Sequence, residues 1–179
     1  MQRALRTLRF AALLLALYGC VSVSTAQSDA NAPVPTKSGC TAKALGRHPD
    51  PRLLVACFYL PDLDPDIIGA GYQAARLLEA FASRDLKARL RRESECQIRI
   101  GGICSLDYNI FTWVQDSWNF RILDTRFDPT RKIVTIRIEN FGNTKPIDYY
   151  FVTENGTLRV DNIVYHLIGR DESLKDFLK

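Results

Sequence analysis

Alternating apolar and polar residues within 119–168 constrain the fold of this chain more than any other feature of the sequence. In the stretch 133–139 the apolar side chains fall at every second position, at Val134, Ile136 and Ile138. This period of two predicts a β-strand with one buried face. Three further stretches share a β-favouring composition: 119–127, 147–152 and 158–165. We therefore predict four strands in this part of the chain.

The connections between these strands are too short for parallel pairing. Asn155-Gly156 is the strongest local hairpin signal, because a type I′ turn needs positive φ at two successive residues. The segments 128–131 and 141–145 also have turn composition. Consecutive strands that are joined by tight turns pair in antiparallel fashion. The sequence therefore predicts a four-stranded antiparallel meander.

The first 26 residues have the composition of an export signal. Arg3, Arg6 and Arg9 precede an apolar run over 10–18, which is too short to span a bilayer. These arginines are three of the 24 basic residues in the chain, whereas none of the 20 acidic residues precedes Gln27. Cleavage of the signal would leave a chain close to neutral, so we predict no nucleic-acid partner.

Two cleavage sites compete in this signal. The segment 17–20 resembles a bacterial lipobox that ends at Cys20, although Tyr18 is bulkier than the residue usual at that place. The segment 24–26 offers a small-x-small site with cleavage after Ala26. Both indicate a periplasmic location. Lipidation at Cys20 would be the one predicted membrane contact of the chain. Because no Asp follows Cys20, the resemblance to known lipoprotein sorting implies an anchor in the outer membrane.

Four cysteines follow the signal, at Cys40, Cys57, Cys96 and Cys104. An even number in an exported chain predicts disulfide bonds. Of the three possible pairings we favour Cys40–Cys57 with Cys96–Cys104, because short loops are easily closed and Gly101-Gly102 allows a reversal. Zinc-type spacings such as C-x-x-C do not occur, so we predict neither a metal nor a cofactor.

The remaining chain divides into a tether and one domain. Residues 27–50 are predicted to be a flexible tether and N-terminal segment, since their first part is small, polar and proline-bearing. Residues 51–179 are predicted to form a single α+β domain. We expect N-terminal helices that pack on the sheet, one that starts at 64–66 and runs to Ala82, and a second over 83–95. A short C-terminal helix is expected over 172–178.

The second predicted helix is crowded with basic side chains: Arg84, Lys87, Arg89, Arg91 and Arg92. A solvated helix face is the favoured interpretation of this pattern. The alternative is a surface for an acidic partner or an anionic lipid.

The one motif-like stretch lies at 107–118 and holds two Trp, one Phe and one Tyr, together with the carboxylates of Asp107 and Asp116. Its pattern is Asp-x-(Asp/Asn)-x-Phe-x-x-x-Gln-Asp-x-Trp. With the meander behind it, this pattern resembles a group of exported bacterial domains of unknown function. Those domains are similar in plan to the cone-shaped α+β superfamily of nuclear transport factor 2-like and cystatin-like proteins. The resemblance covers residues 66–178 and implies helices in the hollow of a curved sheet.

Seven residues of this stretch are the candidate binding residues: Asp107, Tyr108, Phe111, Trp113, Gln115, Asp116 and Trp118. Asp107 and Asp116 could form a catalytic carboxylate pair with Gln115 as a hydrogen-bond donor. The favoured interpretation is structural, with carboxylates that cap turns and aromatic rings that close the open end of the cone. Neither His48 nor His166 completes a catalytic triad, and His166 is expected to be a hydrogen-bonded core or rim residue.

Two hypotheses of function follow from the sequence. The first is a non-catalytic periplasmic binding protein of the immunity or inhibitor type, whose partner is a protein or a small ligand of the envelope. The alternative is a periplasmic hydrolase or isomerase that uses the pocket carboxylates of a cone fold, a possibility that rests on analogy of fold.

Overall fold

The computed structural model of the chain describes residues 35–36, 38–63, 70–113 and 120–178. The predicted export signal with Cys20, the predicted helix start at 64–66 and the candidate binding residues Gln115, Asp116 and Trp118 lie outside these residues. The described part of the chain is an α+β fold with five helices and a five-stranded sheet. The helices are α1 (Ala42–Leu45), α2 (Pro51–Leu63), α3 (Ala70–Phe81), α4 (Arg84–Ile100) and α5 (Leu174–Phe177).

The sheet is an antiparallel meander, as the sequence predicts. Its strands are β1 (Phe120–Asp128), β2 (Ile133–Asn140), β3 (Asn143–Glu154), β4 (Thr157–Leu167) and β5 (Arg170–Ser173), and they pair in chain order. The predicted hairpin turn between β3 and β4 has positive φ at Asn155 and Gly156. An additional residue interrupts the register at Leu123 in β1 and at Asp161 in β4.

The prediction of four strands is wrong, because the chain reverses after Leu167 and forms β5. In β5, Arg170 pairs with Leu167 and Glu172 with Tyr165. This strand is four residues long and mostly charged, so it shows no apolar alternation. The C-terminal helix begins at Leu174 instead of residue 172, since Glu172 and Ser173 are paired in the strand.

One face of the sheet is buried against helices and forms the core. Helix α2 contacts β1 and β2, while α3 and α4 contact β4. Ten of the buried side chains in this core are Leu54, Phe58, Leu78, Phe81, Ile136, Ile138, Ile147, Tyr149, Ile163 and Tyr165. Helix α2 is not among the predicted helices, although Asp50 marks its start and accepts a 2.8 Å hydrogen bond from the backbone N–H of Arg52.

The helices are tied to the sheet where α3 meets α4. Ser83 caps α4 as predicted, with its Oγ accepting the N–H of Leu86 at 3.1 Å. The same hydroxyl donates to the carboxylate of Asp161 at 2.7 Å, and the Ser83 N–H donates to the carbonyl of Val160 at 2.7 Å. Lys175 of the C-terminal helix lies 2.8 Å from Asp161 as well. The extra residue in β4 thus joins the helical half to the end of the chain.

Two disulfides join Cys40 to Cys57 and Cys96 to Cys104, the pairing that short loops favour. The first links the segment before α1 to α2, so residues 40–50 are bonded to the domain. The second links the end of α4 to the loop behind it.

Helix α4 ends at Ile100, five residues beyond the predicted end, where Gly101 takes a left-handed conformation. No helix in the described ranges is long and apolar enough to cross a membrane.

Candidate functional site

A cleft lies at one end of the sheet, between the turns that follow β2 and β4. Because β3 and β4 are antiparallel, the start of β3 and the end of β4 meet at this end. The cleft has a volume of about 430 Å³, and it is lined by Asn140, Phe141, Asn143, Thr144, Lys145, His166, Leu167 and Ile168. We call it the hairpin cleft. Its volume falls in the range of roughly 300–1,000 Å³ that is typical of ligand pockets.

The two turns that frame the hairpin cleft expose large apolar side chains. Phe141 is 61% exposed and Ile168 is fully exposed. Asn140 pairs with Asn143, so Phe141 and Gly142 form a two-residue hairpin turn with φ of 49° and 78°. Such a turn favours Asn and Gly, since an L-residue with a bulky side chain is strained at positive φ. Phe141 is therefore unfavourable both in its backbone and in its exposure to water.

His166 lies in the wall of the hairpin cleft, between two carboxylates. Its Nε2 is 3.1 Å from Oδ2 of Asp148, and its Nδ1 is 2.9 Å from Oδ1 of Asp171. Asp148 is itself buried and accepts a hydrogen bond from the hydroxyl of Thr135. Burial alone would lower the pKa of His166, but the hydrogen bonds to Asp171 and Asp148 outweigh it and raise that pKa above the usual 6.5.

This geometry limits the chemistry that His166 can perform. An ionised carboxylate only accepts hydrogen bonds, so both ring nitrogens carry protons when both contacts are made. A doubly protonated imidazolium has no lone pair with which to accept a proton or bind a metal. Within the described ranges no group of three or more His, Cys, Asp or Glu side chains could hold a metal ion. In this doubly protonated state, His166 places a positive charge in the wall of the cleft.

The structure places two of the predicted binding residues, Phe111 and Trp113, in the hydrophobic core. Phe111 stacks on Phe58 with ring centroids 5.4 Å apart, and Trp113 stacks on Tyr165 at 4.4 Å. Tyr108 is 46% exposed and covers Trp113 from outside, with centroids 5.2 Å apart. These three rings close one side of the core.

The polar groups of the same segment fix its turn. The side-chain oxygen of Asn109 accepts the N–H of Phe111 at 2.8 Å, and its carbonyl accepts the N–H of Trp113 at 2.8 Å. Asp107 is exposed and does not line the hairpin cleft. The binding role that the sequence suggests for these residues stays a prediction.

The aromatic segment and the hairpin cleft lie on opposite sides of β4. Tyr165 points into the core, where it stacks on Trp113 and donates a 2.6 Å hydrogen bond to the carbonyl of Ile110. His166, the next residue, points to the other face, because side chains alternate along a strand. The structure therefore does not bring Phe111 and Trp113 together with His166.

Most residues of the hairpin cleft are not among the predicted site residues. The sequence predicts a hydrogen-bonded core or rim residue at His166, but not its partners Asp148 and Asp171. These carboxylates meet the imidazole only through the register of β3, β4 and β5. One local signal was available: Phe141-Gly142 between two Asn residues has the spacing of a two-residue turn, in which an apolar first residue must be exposed. No family model, curated protein or solved structure matches the chain, so its function is inferred from its own geometry.

Proposed function

We propose that this chain is a non-catalytic binding protein of the bacterial envelope, of the immunity or inhibitor type, which docks a partner protein at the hairpin cleft. The observation that carries the proposal is Phe141, a large apolar residue that is 61% exposed on a turn with positive φ. Residues held in strained backbone conformations cluster at functional sites, where the strain is part of the mechanism.

The arrangement of the cleft fits a protein surface. Phe141 and Ile168 lie on two separate turns. The polar side chains of Asn143, Thr144 and Lys145 line the same cleft. Exposed apolar anchors with polar neighbours are the usual plan of a protein interface. Both turns join paired strands, so the anchors are held in place before the partner arrives, and little conformational entropy is lost on binding.

Binding is favoured over catalysis by the state of the ionisable groups. His166 has both nitrogens engaged by carboxylates, and Asp107 is exposed and does not line the hairpin cleft. A hydrolase or isomerase of a cone fold would need a carboxylate in a pocket. Asp116, the proposed partner of Asp107, lies outside the described residues.

The envelope location is part of the proposal. Two disulfides are typical of an oxidising compartment, and the basic and apolar start of the chain is typical of an export signal. Lipidation at Cys20 would tether the domain to the outer membrane, and cleavage after Ala26 would release it into the periplasm. We also propose kinship with the nuclear transport factor 2-like and cystatin-like superfamily, with which this fold shares helices on one face of an antiparallel sheet.

Site-specific photo-crosslinking in cells tests the proposal. A benzoyl-phenylalanine is placed at Phe141, at Ile168 and, as a control, at Arg84, whose side chain is 88% exposed at the start of α4. We expect positions 141 and 168 to capture the same protein, and position 84 not to capture it. The captured protein is then purified and titrated with wild type and with Ile168→Ser, which should weaken binding by about tenfold or more.

Two outcomes would overturn the proposal. One is a set of crosslinks that is the same at positions 141, 168 and 84, or absent at both turns. The other is turnover of a substrate by the purified chain that is lost on Asp107→Asn or Asp116→Asn while Phe141 and Ile168 tolerate substitution.

A further inference from the structure

The end of α4 and the loop behind it expose three isoleucines. Ile98 is 79% exposed, Ile100 is 54% exposed and Ile103 is 61% exposed. We call residues 98–103 the α4 tip. Exposed apolar residues are normally scattered singly over a protein surface, so three large ones within six residues are unusual.

One disulfide and two sets of hydrogen bonds fix the conformation of the α4 tip. The Cys96–Cys104 disulfide fastens the loop to the helix, and the N–H of Gly101 donates to the carbonyl of Gln97 at 2.9 Å. Glu93 is buried, and its carboxylate accepts the backbone N–H groups of Ser105 and Leu106 at 3.0 and 3.1 Å. A loop that exposes isoleucines in a fixed conformation loses little entropy when it binds.

The directions of the isoleucines restrict the kind of partner. At 3.6 residues per turn, Ile98 and Ile100 point to nearly opposite sides of the helix. A flat protein surface could cover one of them but not the other. A fluid apolar phase can surround the tip on all sides, as the interface of a lipid bilayer does.

The charges beside the α4 tip favour an anionic surface. Arg91, Arg92 and Arg99 are exposed in the last turns of the helix, and Glu95 is the one exposed acidic residue among 91–103, since Glu93 is buried. Basic side chains next to an apolar tip are the arrangement that anionic headgroups attract.

We propose that the α4 tip inserts Ile98, Ile100 and Ile103 into the surface of an anionic lipid bilayer, with Arg91, Arg92 and Arg99 at the headgroups. This contact is separate from the hairpin cleft and from any lipid at Cys20. It would orient the domain on the membrane, which a flexible tether cannot do.

Tryptophan fluorescence tests the insertion at the tip itself. Ile103→Trp in the full chain is mixed with vesicles of phosphatidylcholine that contain about one-third phosphatidylglycerol. We expect a blue shift and quenching by brominated phosphatidylcholine, both beyond those of wild type. The control is Leu123→Trp, at a residue of β1 that is 38% exposed. All variants carry the same N-terminal segment, so membrane binding through that segment contributes equally to each of them.

Loss of binding is measured in parallel by vesicle co-sedimentation. Ile98→Ser should lower the binding constant by roughly tenfold, and Arg99→Gln by roughly fivefold, whereas Leu123→Ser should not. If Ile103→Trp does not fold, Ile98→Trp takes its place. Equal quenching at positions 103 and 123, or equal binding to vesicles with and without phosphatidylglycerol, would overturn the proposal. The proposal is also overturned if the indole at position 103 of the Ile103→Trp variant is protected from solvent in the absence of vesicles. That result would show that the chain covers its own tip.

Discussion

The indole ring of Trp113 stacks on the phenol ring of Tyr165, with centroids 4.4 Å apart and planes inclined by 19°. This contact joins the aromatic segment to the C-terminal part of β4, and Trp113 also packs against Phe177 of the C-terminal helix at 4.8 Å. Aromatic pairs of this kind add about 0.5–1.5 kcal/mol beyond the apolar area that they bury. We therefore regard Trp113 as a residue that unites three parts of the core.

Trp113→Ala is expected to lower the free energy of unfolding by about 3–5 kcal/mol, because it leaves a large cavity between β4 and α5. Urea denaturation measures the loss. Tyr108→Ala, at a half-exposed ring beside it, serves as the matched control and should cost less than about 1.5 kcal/mol. A Trp113→Ala protein with normal stability and impaired partner binding would instead support the binding role suggested by the sequence.

Phe141→Asn is expected to stabilise the protein and to weaken partner binding. Asn tolerates positive φ, so the substitution relieves a strain of about 1 kcal/mol and removes an exposed apolar ring. The converse substitution is Asn155→Phe, at the first position of the turn between β3 and β4, where φ is 50°. It should lower the stability of the protein by a similar amount. Thermal unfolding measures both. A loss of stability in Phe141→Asn would mean that the ring has a structural role.

Glu93→Ala is expected to lower the free energy of unfolding by about 1–3 kcal/mol, because the partly buried N–H groups of Ser105 and Leu106 lose their carboxylate acceptor. Glu95→Ala, two residues along the same helix and exposed, should change stability by less than about 0.5 kcal/mol. Chemical denaturation of the two variants checks the difference. Equal costs would show that the loop behind α4 is fixed by the disulfide alone.

The contribution of His166 to stability depends on pH. Its pKa is raised in the folded protein above the usual 6.5, so the stabilisation is complete below that pH and is lost as pH rises through the folded pKa. The difference in unfolding free energy between wild type and His166→Gln should therefore be larger at about pH 6 than at about pH 9. A difference that grows toward alkaline pH would contradict the two-carboxylate geometry.

The two disulfides should differ in their contribution to stability. The loops span sequence separations of 17 and 8 residues, for which chain entropy gives about 3 kcal/mol for Cys40–Cys57 and about 2.5 kcal/mol for Cys96–Cys104. Cys57 is also buried in the core, which increases the cost of its removal. Paired serine variants, compared by urea denaturation after intact-mass analysis, should therefore rank in that order. The reverse order would show that strain or residual structure outweighs loop entropy.

Local signals in the sequence were sufficient for much of the fold. The alternation over 133–139 predicted β2, the Asn155-Gly156 pair predicted a hairpin, and Ser83 predicted the start of α4. Each of these depends on neighbours along the chain. Helix α2 gives no such local signal. Residues 54–59 are all buried, so their apolar run has no periodicity that distinguishes a helix from a strand.

Features that depend on distant partners could not be predicted. Glu93 belongs to a helix rich in charges, and nothing near it in sequence shows that the loop at 105–106 folds back over it. Asp148 and His166 are 18 positions apart and become neighbours only when the register of β3 and β4 is known. The hairpin cleft depends on the same register, because two turns form its walls.

The two outermost strands of the meander have consequences for association between copies of the chain. β5 consists of Arg170, Asp171, Glu172 and Ser173, and β1 is interrupted by its extra residue at Leu123. Unpaired backbone groups along a long, flat sheet margin would recruit strands from other molecules into fibrils. A short charged strand on one margin and an irregular one on the other oppose that growth.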